Sequence, residues 1–492
     1  MTKISGLGRR DFLRMGASGI VGMGAPAVHA YASKTAAPAA GATQAAPQSS
    51  VYSSIAAHLR SVTAIDAHDH LRPANALWGY VETARGRGMN LYGLWFSSYY
   101  PLTNRLTAWN PGETFDAWWG RAKHDFDNAR ATSFYRYLLP AFQDLYGIDF
   151  ERITDAQARE LDQRIFQNSR DKKWIDHVVT ERANIELMII DPYWSKLDYP
   201  TAYRFQARNL NTSSLLSGFH PSEYTAVSIP GQESTAKFPH DDPYLFARQR
   251  NLKVESLDDF LTVIELLCEE AKKQGAVCLT DDDTAYVRTL AFDNVPKEQA
   301  VQAFGRKRSE LSPQMIKDFQ DFIMWRLVEL SARHDLPYQI HTGAGRIQGS
   351  NPMLLLNLIE ANPKTKFVIM HGGYPWVGET GAIAFEEMAQ AKNVWLDFCW
   401  LPLISYSMAK RALHEWLELV PSDRILWGSD LHHAEGIYAA TQFTRRCLGE
   451  VLAEKVAHGD LSEPQAMQIG RQIMRDNALQ VFPRLQALLW KG

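Results

Sequence analysis

Short, continuous apolar segments recur along this chain, and helix-length segments separate most of them. Eight of these segments are predicted to be strands, at residues 61–65, 185–190, 224–229, 275–280, 337–341, 367–371, 394–398 and 425–430. The later ones are spaced at about 30 residues, which is the length of one strand together with its returning helix. Uninterrupted apolar strands separated by helices predict a parallel sheet covered by helices.

Eight strand-helix units predict a (β/α)8 barrel, an α/β fold that needs about 250 residues. The surplus length is assigned to a helical C-terminal tail and to an aromatic-rich helical insertion after the first strand, at about residues 74–173. Because the loops that follow barrel strands lie on the functional face, we expect the insertion to cover the site. An open doubly wound sheet ranks second, since no glycine-rich phosphate loop follows any strand.

The N-terminal segment differs in composition from the rest of the chain. Arg9 and Arg10 precede a weakly apolar stretch rich in Gly and Ala, so residues 1–32 resemble a twin-arginine export signal. Residues 33–50 are rich in Ala, Pro and Ser and are predicted to be a flexible linker, which leaves residues 51–492 for the barrel domain. We therefore expect a periplasmic or otherwise exported protein, with the twin-arginine export machinery as a partner.

Charge and hydropathy exclude several classes of partner. The formal net charge of −3 gives no basic excess with which to neutralise phosphates, so no nucleic-acid partner is expected. No run of about 18 apolar residues occurs, and neither a spanning helix nor a stable membrane anchor is predicted. The cysteines match no zinc or redox spacing, and Cys278 and Cys399, in predicted strand regions, are expected to be buried free thiols. The oligomeric state stays open.

Polar residues stand where several predicted strands end. His68 and His70 close the first strand, and side chains two positions apart on a strand point to the same side, so both imidazoles can enter one space while Asp69 faces away. A lone His-x-His is a weak signal, because two unrelated loop histidines give the same pattern. His341, His371 and Asp430 end three later strands, and functional groups of barrels lie at these ends.

Four motifs together resemble the amidohydrolase superfamily, and within it the amidohydrolase-2, or amidohydrolase-related, family. They are His-Asp-His at 68–70, Gln-Ile-His-Thr-Gly at 339–343, Ile-Met-His-Gly-Gly at 369–373 and Trp-Gly-Ser-Asp at 427–430. The resemblance covers residues 61–71 and about 174–483, and it does not cover the insertion in detail. It implies one divalent metal ion, zinc before manganese or iron, held by four side chains: His68, His70, His341 and Asp430.

The resemblance also places His371 beside the substrate. An ion with an open coordination position lowers the pKa of a bound water from 15.7 to about 7. Asp430 could take the proton of that water and pass it to a leaving group. His371 could polarise the carbonyl group or stabilise the oxyanion.

One position departs from the family pattern. Many relatives carry a lysine at the end of strand four, where this chain has Thr280 followed by three aspartates, so a carbamylated lysine that bridges two metals is not expected. A solvated turn is the preferred interpretation of residues 281–283, and Asp281 is the alternative as a substitute ligand. The cofactor prediction is therefore one metal ion.

Four residues beside the motifs are candidates for the surroundings of the site. Arg72 and Arg346 follow His70 and His341 and are predicted to bind an anionic group of the substrate, because the planar guanidinium matches a carboxylate; surface ion pairs are the alternative. His432 and His433 follow the last strand and are candidates for the mouth of the site or loop residues without a role.

The predicted function is an exported, metal-dependent hydrolase of a small carbonyl substrate, namely a lactone, amide or ester, acting through a metal-activated water. A metal-dependent decarboxylase or hydratase and a uronate-type isomerase are alternatives, because the related barrels host such reactions. A periplasmic metal-binding protein without activity is the non-enzyme alternative. The substrate identity and the role of the insertion are not determined by the sequence.

Overall fold

A computed structural model describes residues 50–191, 201–222, 243–345, 347–390 and 392–490. Within these residues, eight strands form one sheet in which neighbours in the chain are neighbours in space. We number them β1 (Ala64–Asp69), β2 (Ile185–Ile190), β3 (Gln206–Asn211), β4 (Cys278–Asp281), β5 (Tyr338–Ile340), β6 (Phe367–Ile369), β7 (Val394–Asp397) and β8 (Ile425–Leu426).

The sheet curls into a barrel. Every pairing from β1 to β8 is parallel. Backbone hydrogen bonds join the two end strands, since the N–H of Ala67 donates to Trp427 O at 3.1 Å and the N–H of Asp430 donates to His68 O at 3.0 Å. The predicted (β/α)8 barrel is confirmed, and the bonds from Asp430 and Ala67 set the functional ends of β1 and β8 side by side.

The third strand differs from the prediction. The apolar pattern predicted it at residues 224–229, which lie outside the described residues, whereas the third strand of the sheet is Gln206–Asn211. This strand can be polar because its side chains form hydrogen bonds inside the barrel. Gln206 Nε2 donates to Leu71 O at 2.9 Å, and Asn209 Nδ2 donates to Thr280 Oγ1 at 2.7 Å. Satisfied polar groups can replace apolar ones in a buried strand, so an apolar pattern misses it.

Helices return between the strands and surround the barrel. Outside the insertion, the described α-helices span Ser50–Ser61, Pro243–Gln249, Leu257–Lys273, Thr284–Val287, Lys297–Ala300, Pro313–His334, Leu356–Glu360, Val377–Gln390, Leu401–Ile404, Tyr406–Leu419, Ala434–His458, Glu463–Arg471 and Asn477–Val481. No helix among the described residues is long and apolar enough to cross a bilayer.

The predicted helical tail is present and closes the N-terminal end of the barrel. Val481, Phe482 and Leu485 pack in one apolar cluster with interior residues of β1 and β2. Arg475 fixes the tail, because its Nη2 lies 2.6 Å from Glu186 Oε2 and its Nη1 donates to Thr63 O at 2.7 Å. The tail therefore lies at the end of the barrel opposite the C-terminal ends of the strands, where the functional groups of barrels are found.

The insertion after β1 is helical with one short hairpin, which the sequence analysis did not predict. The hairpin strands are Val81–Thr83 and Gly86–Gly88, and the helices are Leu91–Phe96, Phe115–Ala122, Ser133–Arg136, Leu139–Tyr146, Asp155–Asn168 and Lys172–His177. Trp95 and Trp118 are fully buried, and Trp95 stacks on Tyr135 with ring centroids 5.6 Å apart. Most of the aromatic residues therefore form the insertion's own core.

Candidate metal centre

Six histidine and aspartate side chains meet at the C-terminal ends of the strands, and the thiol of Cys399 lies beside two of them. They are His68 in β1, His70 after it, Asp282 after β4, His341 after β5, His371 after β6 and Asp430 after β8. None of them is more than 7% exposed. The predicted set of His68, His70, His341, His371 and Asp430 is thus brought together by the parallel order of the strands.

Asp430 lies between the histidines. Its Oδ1 is 3.1 Å from His70 Nε2 and 3.7 Å from His68 Nε2, whereas its Oδ2 is 3.9 Å from His371 Nδ1. The two oxygens of this carboxylate therefore face different imidazoles.

Asp282 is the member of the site that sequence reasoning missed. Its Oδ1 lies 3.6 Å from His68 Nε2 and 3.4 Å from His341 Nδ1, and its Oδ2 lies 3.5 Å from His70 Nε2. A carboxylate among three imidazoles is a suitable ligand arrangement for a divalent ion. The acidic turn after β4 was the available signal, but its interpretation as a solvated turn is wrong.

Asp281, the predicted substitute ligand, points elsewhere. Its Oδ1 accepts hydrogen bonds from Ser213 Oγ at 2.8 Å and from the N–H of Thr284 at 3.2 Å. Ser213 Oγ in turn accepts from the N–H of Asp282 at 3.0 Å, which fixes the turn. Adjacent side chains leave a turn in different directions, so the sequence could not decide which aspartate enters the site. The Oγ1 of Thr280, in β4, donates a hydrogen bond to Gln339 Oε1 inside the barrel at 3.0 Å.

The donor set fits a metal ion. Among the described residues, both ring nitrogens of His68, Nε2 of His341 and Nδ1 of His371 are buried without a hydrogen-bond partner. Each such orphaned polar atom costs about 1–3 kcal/mol, so a set of them in one place needs a common partner. The ligand atoms of His68, His70 and Asp282 lie within 4.8 Å of one another, as do those of Asp282, His341 and His371.

Burial sets the protonation of the histidines. It lowers the pKa of His68 and of His70 to about 4 and the pKa of His371 well below its usual value. The imidazoles of His68, His70 and His371 are therefore neutral near pH 7, which is the form that binds metals.

The two carboxylates of the site differ. Burial raises the pKa of Asp430 to about 7, with a further contribution from the charge of Asp282. Burial opposes ionisation of Asp282 too, but the hydrogen bond from His341 and the neighbouring imidazoles hold the pKa of Asp282 below its usual value. The surroundings of the two carboxylates therefore differ, and those of Asp282 favour its charged form more strongly than those of Asp430.

Residues around the donors fix their orientation. Asp69 faces away from the site, as predicted, and its carboxylate accepts hydrogen bonds from the N–H groups of Leu71 at 2.7 Å and Leu431 at 2.8 Å. Asp66 Oδ1 accepts from the N–H groups of His68 at 3.2 Å and Ser429 at 3.0 Å. These buried carboxylates tie the end of β1 to the segment that carries Asp430.

Backbone strain concentrates at the site. His371 and Asp430 have φ values of +60° and +56°, and Tyr99 and Trp400, which contact the site, have φ values of +61° and +63°. Residues other than glycine adopt this region at a cost of about 1–3 kcal/mol, and they do so mainly where function fixes the side chain.

The insertion contributes directly to the site. Tyr99 donates its hydroxyl hydrogen to Asp430 Oδ1 at 3.3 Å and lies 3.2 Å from His432 Nε2. Its ring packs against Trp400 at 4.9 Å, and Trp400 meets the ring of His371 edge-on at 5.5 Å. The sequence predicted a cover but not this hydroxyl, because the contact depends on how the insertion folds.

The residues that were predicted to surround the site have different outcomes. Arg72 lies at the site, with its guanidinium 5.1 Å from the ring of Trp78 and its charge near His70 and His432. Arg346 lies outside the described residues. His432 is buried rather than at the mouth, and it stacks on His70 at 5.3 Å.

His433 does not face the site. Its Nδ1 accepts from the N–H of Gly436 at 3.0 Å, at the start of the helix Ala434–His458, and its Nε2 lies 3.0 Å from Ser98 Oγ. It therefore caps a helix and anchors the insertion, and neither of the two interpretations offered for it, a place at the mouth of the site or a loop residue without a role, describes this contact.

Comparisons with known proteins agree with this geometry. Residues 290–484 match the Amidohydro_2 family model, described as amidohydrolase, and this segment carries His341, His371 and Asp430. The resemblance predicted from the sequence is confirmed there. A 205-residue segment is 30% identical to Protein fluG of Emericella nidulans and covers 39% of this chain, but it spans only 23% of that relative.

Solved structures show the same barrel fold over most of the chain. Uronate isomerase from Thermotoga maritima has a TM-score of 0.64 and 14% identity, covering 88% of this chain and 97% of that chain. Glucuronate isomerase from Caulobacter crescentus also has a TM-score of 0.64 and 14% identity, covering 88% and 94%. A candidate metal-dependent hydrolase from Lactobacillus casei has a TM-score of 0.60 and 16% identity, covering 89% and 99%. The chain therefore shares the (β/α)8 barrel fold of these proteins.

Proposed function

We propose that this chain is a metal-dependent hydrolase of a small carbonyl compound, namely a lactone, amide or ester. The observation that carries the proposal is the meeting of buried imidazoles, with ring nitrogens of His68, His341 and His371 that lack a hydrogen-bond partner among the described residues, and two carboxylates at the C-terminal ends of the barrel strands. His68, His70, His341, Asp282 and Asp430 would hold the divalent ion. When bound, this ion supplies a water of lowered pKa and polarises the carbonyl group.

The remaining steps use the chain's own groups. Asp430 is the proposed general base, because its carboxylate lies among the histidines, with Oδ1 3.1 Å from His70 Nε2. His371 faces the other oxygen of Asp430 and is the proposed donor to the substrate oxygen. Arg72 is proposed to hold an anionic group of the substrate, because its charge lies next to His70 and His432. Arg346 keeps the same proposed role.

A uronate-type isomerase is the second candidate, and one contact favours it. An isomerase moves a proton between neighbouring carbons and needs a second acid or base close to the first. Tyr99 provides such a group, with its hydroxyl 3.3 Å from Asp430 Oδ1.

Export is a further part of the proposal and is supported by Arg9, Arg10 and the apolar stretch after them. Residues 1–49 lie outside the described residues. Fusion of residues 1–32 to a reporter is expected to direct it across the membrane in cells with a twin-arginine system. Export that is unchanged when Arg9 and Arg10 are both replaced by Lys would contradict this assignment.

The first experiment is metal analysis of the purified protein beside the double variant His68→Ala, His70→Ala. At least one equivalent of zinc, manganese or iron is expected in the parent and its loss is expected in the double variant. His414→Ala is the matched control, because His414 is half-buried on the outer helix Tyr406–Leu419 and pairs with Glu454. Equal metal content in the parent and the double variant would contradict the proposal that His68 and His70 bind a metal ion.

The reaction class is tested next with the metal-loaded protein. Lactones, amides, esters and uronates are incubated with it, and products are followed by mass spectrometry in ¹⁸O-labelled water. Incorporation of one solvent oxygen with bond cleavage supports hydrolysis. Conversion of a uronate without oxygen incorporation at a cleaved bond would favour the isomerase, and a bound metal without any turnover would favour the metal-binding protein.

A further inference from the structure

A cavity of about 660 Å³ lies between the insertion and the segments that leave β1 and enter β3, and the proposed hydrolysis does not use it. Residues 73–75 and 201–203 form part of its wall, and the Tyr203 hydroxyl donates to Arg72 O at 3.5 Å. None of the six side chains of the candidate metal centre lines this cavity. Its volume falls within the range of about 300–1,000 Å³ that is typical of small-molecule sites.

The charged residues that line the cavity are all cationic, namely Arg87, Arg170 and Lys172. Lys172 Nζ lies 2.9 Å from Asp176 Oδ2, and Arg87 Nε is 4.0 Å from the nearest oxygen of Glu82. Neither of these acidic residues lines the cavity. Because a concave wall with charges of one sign attracts the opposite charge, the cavity favours an anion.

Arg170 is the cation whose charge the described residues leave unopposed. Its Nη2 donates to the carbonyl oxygen of Arg87, and its guanidinium carbon lies 4.1 Å from the centroid of the Phe166 ring. Among the described residues, no carboxylate forms an ion pair with this guanidinium. Gly88 permits its position, because a Cβ there would stand 3.0 Å from Nη2. Arg170 is thus held in place, and its planar guanidinium matches the oxygens of a carboxylate or phosphate group.

Two tyrosines supply an apolar wall next to these cations. Tyr203 is 2% exposed, and the centroid of its ring lies 4.6 Å from Lys172 Nζ. Burial raises the pKa of Tyr80, whereas the charges of Arg170 and Arg87 oppose this rise, so both cations lie near the Tyr80 hydroxyl. A ligand that joins a negative charge to an apolar or aromatic body would contact both the cations and the rings.

We propose that Arg87, Arg170 and Lys172, together with Tyr80 and Tyr203, form a binding site for a small organic anion that is separate from the metal centre. The carboxylate or phosphate group of this ligand contacts the cations, and its apolar body lies against the tyrosine rings. The inference does not depend on the proposed function, because no donor of the metal centre takes part in it.

The test is calorimetric titration of the metal-loaded full chain with 2-naphthoate, phenylphosphonate and the uncharged 2-naphthylmethanol. Both anions are expected to bind, and 2-naphthoate is expected to bind at least about 10-fold more tightly than the alcohol, because only the anion forms charge-assisted hydrogen bonds. The double variant Arg170→Met, Lys172→Met should weaken the binding of both anions at least about 10-fold. Arg152→Met, Lys253→Met is the matched control, because both side chains are exposed and neither lines the cavity.

The variant His68→Ala, His70→Ala locates the bound anion. It is expected to retain the binding, because neither histidine lines the cavity. Loss of binding in this variant, with retention in Arg170→Met, Lys172→Met, would place the anion at the metal centre and overturn the separate site. Equal affinities for 2-naphthoate and 2-naphthylmethanol, or no binding of either anion, would also overturn it. A parent that binds both anions but holds no metal would contradict the proposed function alone.

A second measurement decides if the double variant does not fold. The lysines of the parent are reductively methylated with ¹³C-formaldehyde, and the resonance of Lys172 is identified by its absence in Lys172→Arg. Lys172 is 56% exposed, so this variant is expected to fold. Addition of 2-naphthoate should shift the Lys172 resonance, because the naphthyl ring would lie close to Nζ. An unchanged resonance would overturn the proposal.

Discussion

The hydroxyl of Tyr99, in the insertion, donates a hydrogen bond to Asp430 Oδ1 across 3.3 Å. The two residues are 331 positions apart in the chain. The insertion is therefore part of the site as well as its cover, since it touches the carboxylate that follows the last strand. Ser98 anchors this contact, because its Oγ lies 3.0 Å from His433 Nε2 and its carbonyl accepts from the Tyr137 hydroxyl at 3.0 Å.

Tyr99→Phe is expected to lower kcat or metal affinity by about 10- to 100-fold, because groups that orient metal ligands typically contribute this much. Tyr92→Phe is the control: Tyr92 lies in the same insertion and stacks on Phe96, but its ring contacts are with insertion residues. Steady-state kinetics and metal titration measure the effect. Equal values for both variants would show that the Tyr99 hydroxyl does not orient the site.

Asp282→Asn is expected to affect metal binding, whereas Asp281→Asn is expected to affect the stability of the fold. The first removes a charge that faces three imidazoles and should weaken metal binding by at least about 10-fold with little change in the melting temperature. The second weakens the bonds to Ser213 and Thr284 and should cost about 1–3 kcal/mol of stability. Isothermal titration with metal and thermal melts of the metal-free proteins distinguish them. A larger loss of metal affinity in Asp281→Asn than in Asp282→Asn would refute the assignment of Asp282 as a ligand.

Arg72→Met is expected to raise KM for a carboxylated substrate by about 10- to 100-fold and to leave KM for its neutral ester unchanged, because a hydrogen bond to a charged group contributes about 1.5–3 kcal/mol. Arg152→Met serves as the control, since Arg152 is an exposed residue of the insertion. The comparison is made with matched acid and ester pairs. A similar change in KM for both members of a pair would show that Arg72 has a structural role and does not bind the carboxylate of the substrate.

Glu435→Gln is expected to destabilise the protein in a pH-dependent way. Burial opposes the charge of Glu435, but interactions with His433, Tyr146 and Trp174 hold its pKa below the usual 4.5. Its Oε1 accepts from the Tyr146 hydroxyl at 2.6 Å and from Trp174 Nε1 at 3.0 Å, which ties the insertion to the helix Ala434–His458. The charged form therefore stabilises the folded state above pH 4.5, and this contribution is lost as the pH falls below that value.

The free energy of unfolding of the parent is expected to exceed that of Glu435→Gln by about 1–3 kcal/mol at pH 7. This difference should shrink below pH 4.5. Urea unfolding at several pH values measures it, with the exposed Glu298→Gln as the control. A difference that is constant from pH 7 to pH 4 would contradict a role for the charge.

The strand pattern shows how far the fold can be predicted. Seven of the eight barrel strands overlap predicted apolar segments, because strands that are buried on both faces need apolar side chains. The third strand escaped, because Gln206, Asn209 and Asn211 satisfy their amides on other barrel residues. A polar segment becomes a core strand only when partners from distant strands are present, and the local sequence does not show those partners.

The sequence by itself determined the barrel, the approximate places of seven of its eight strands and five of the six side chains that meet at the candidate centre, because strand-end positions in a parallel barrel converge whatever the loops do. Only the tertiary structure decided that Asp282 rather than Asp281 faces the histidines, that His433 turns away, and that Tyr99 reaches Asp430. The direction of a side chain in a turn, and the landing point of an insertion, depend on contacts between segments that are far apart in the chain.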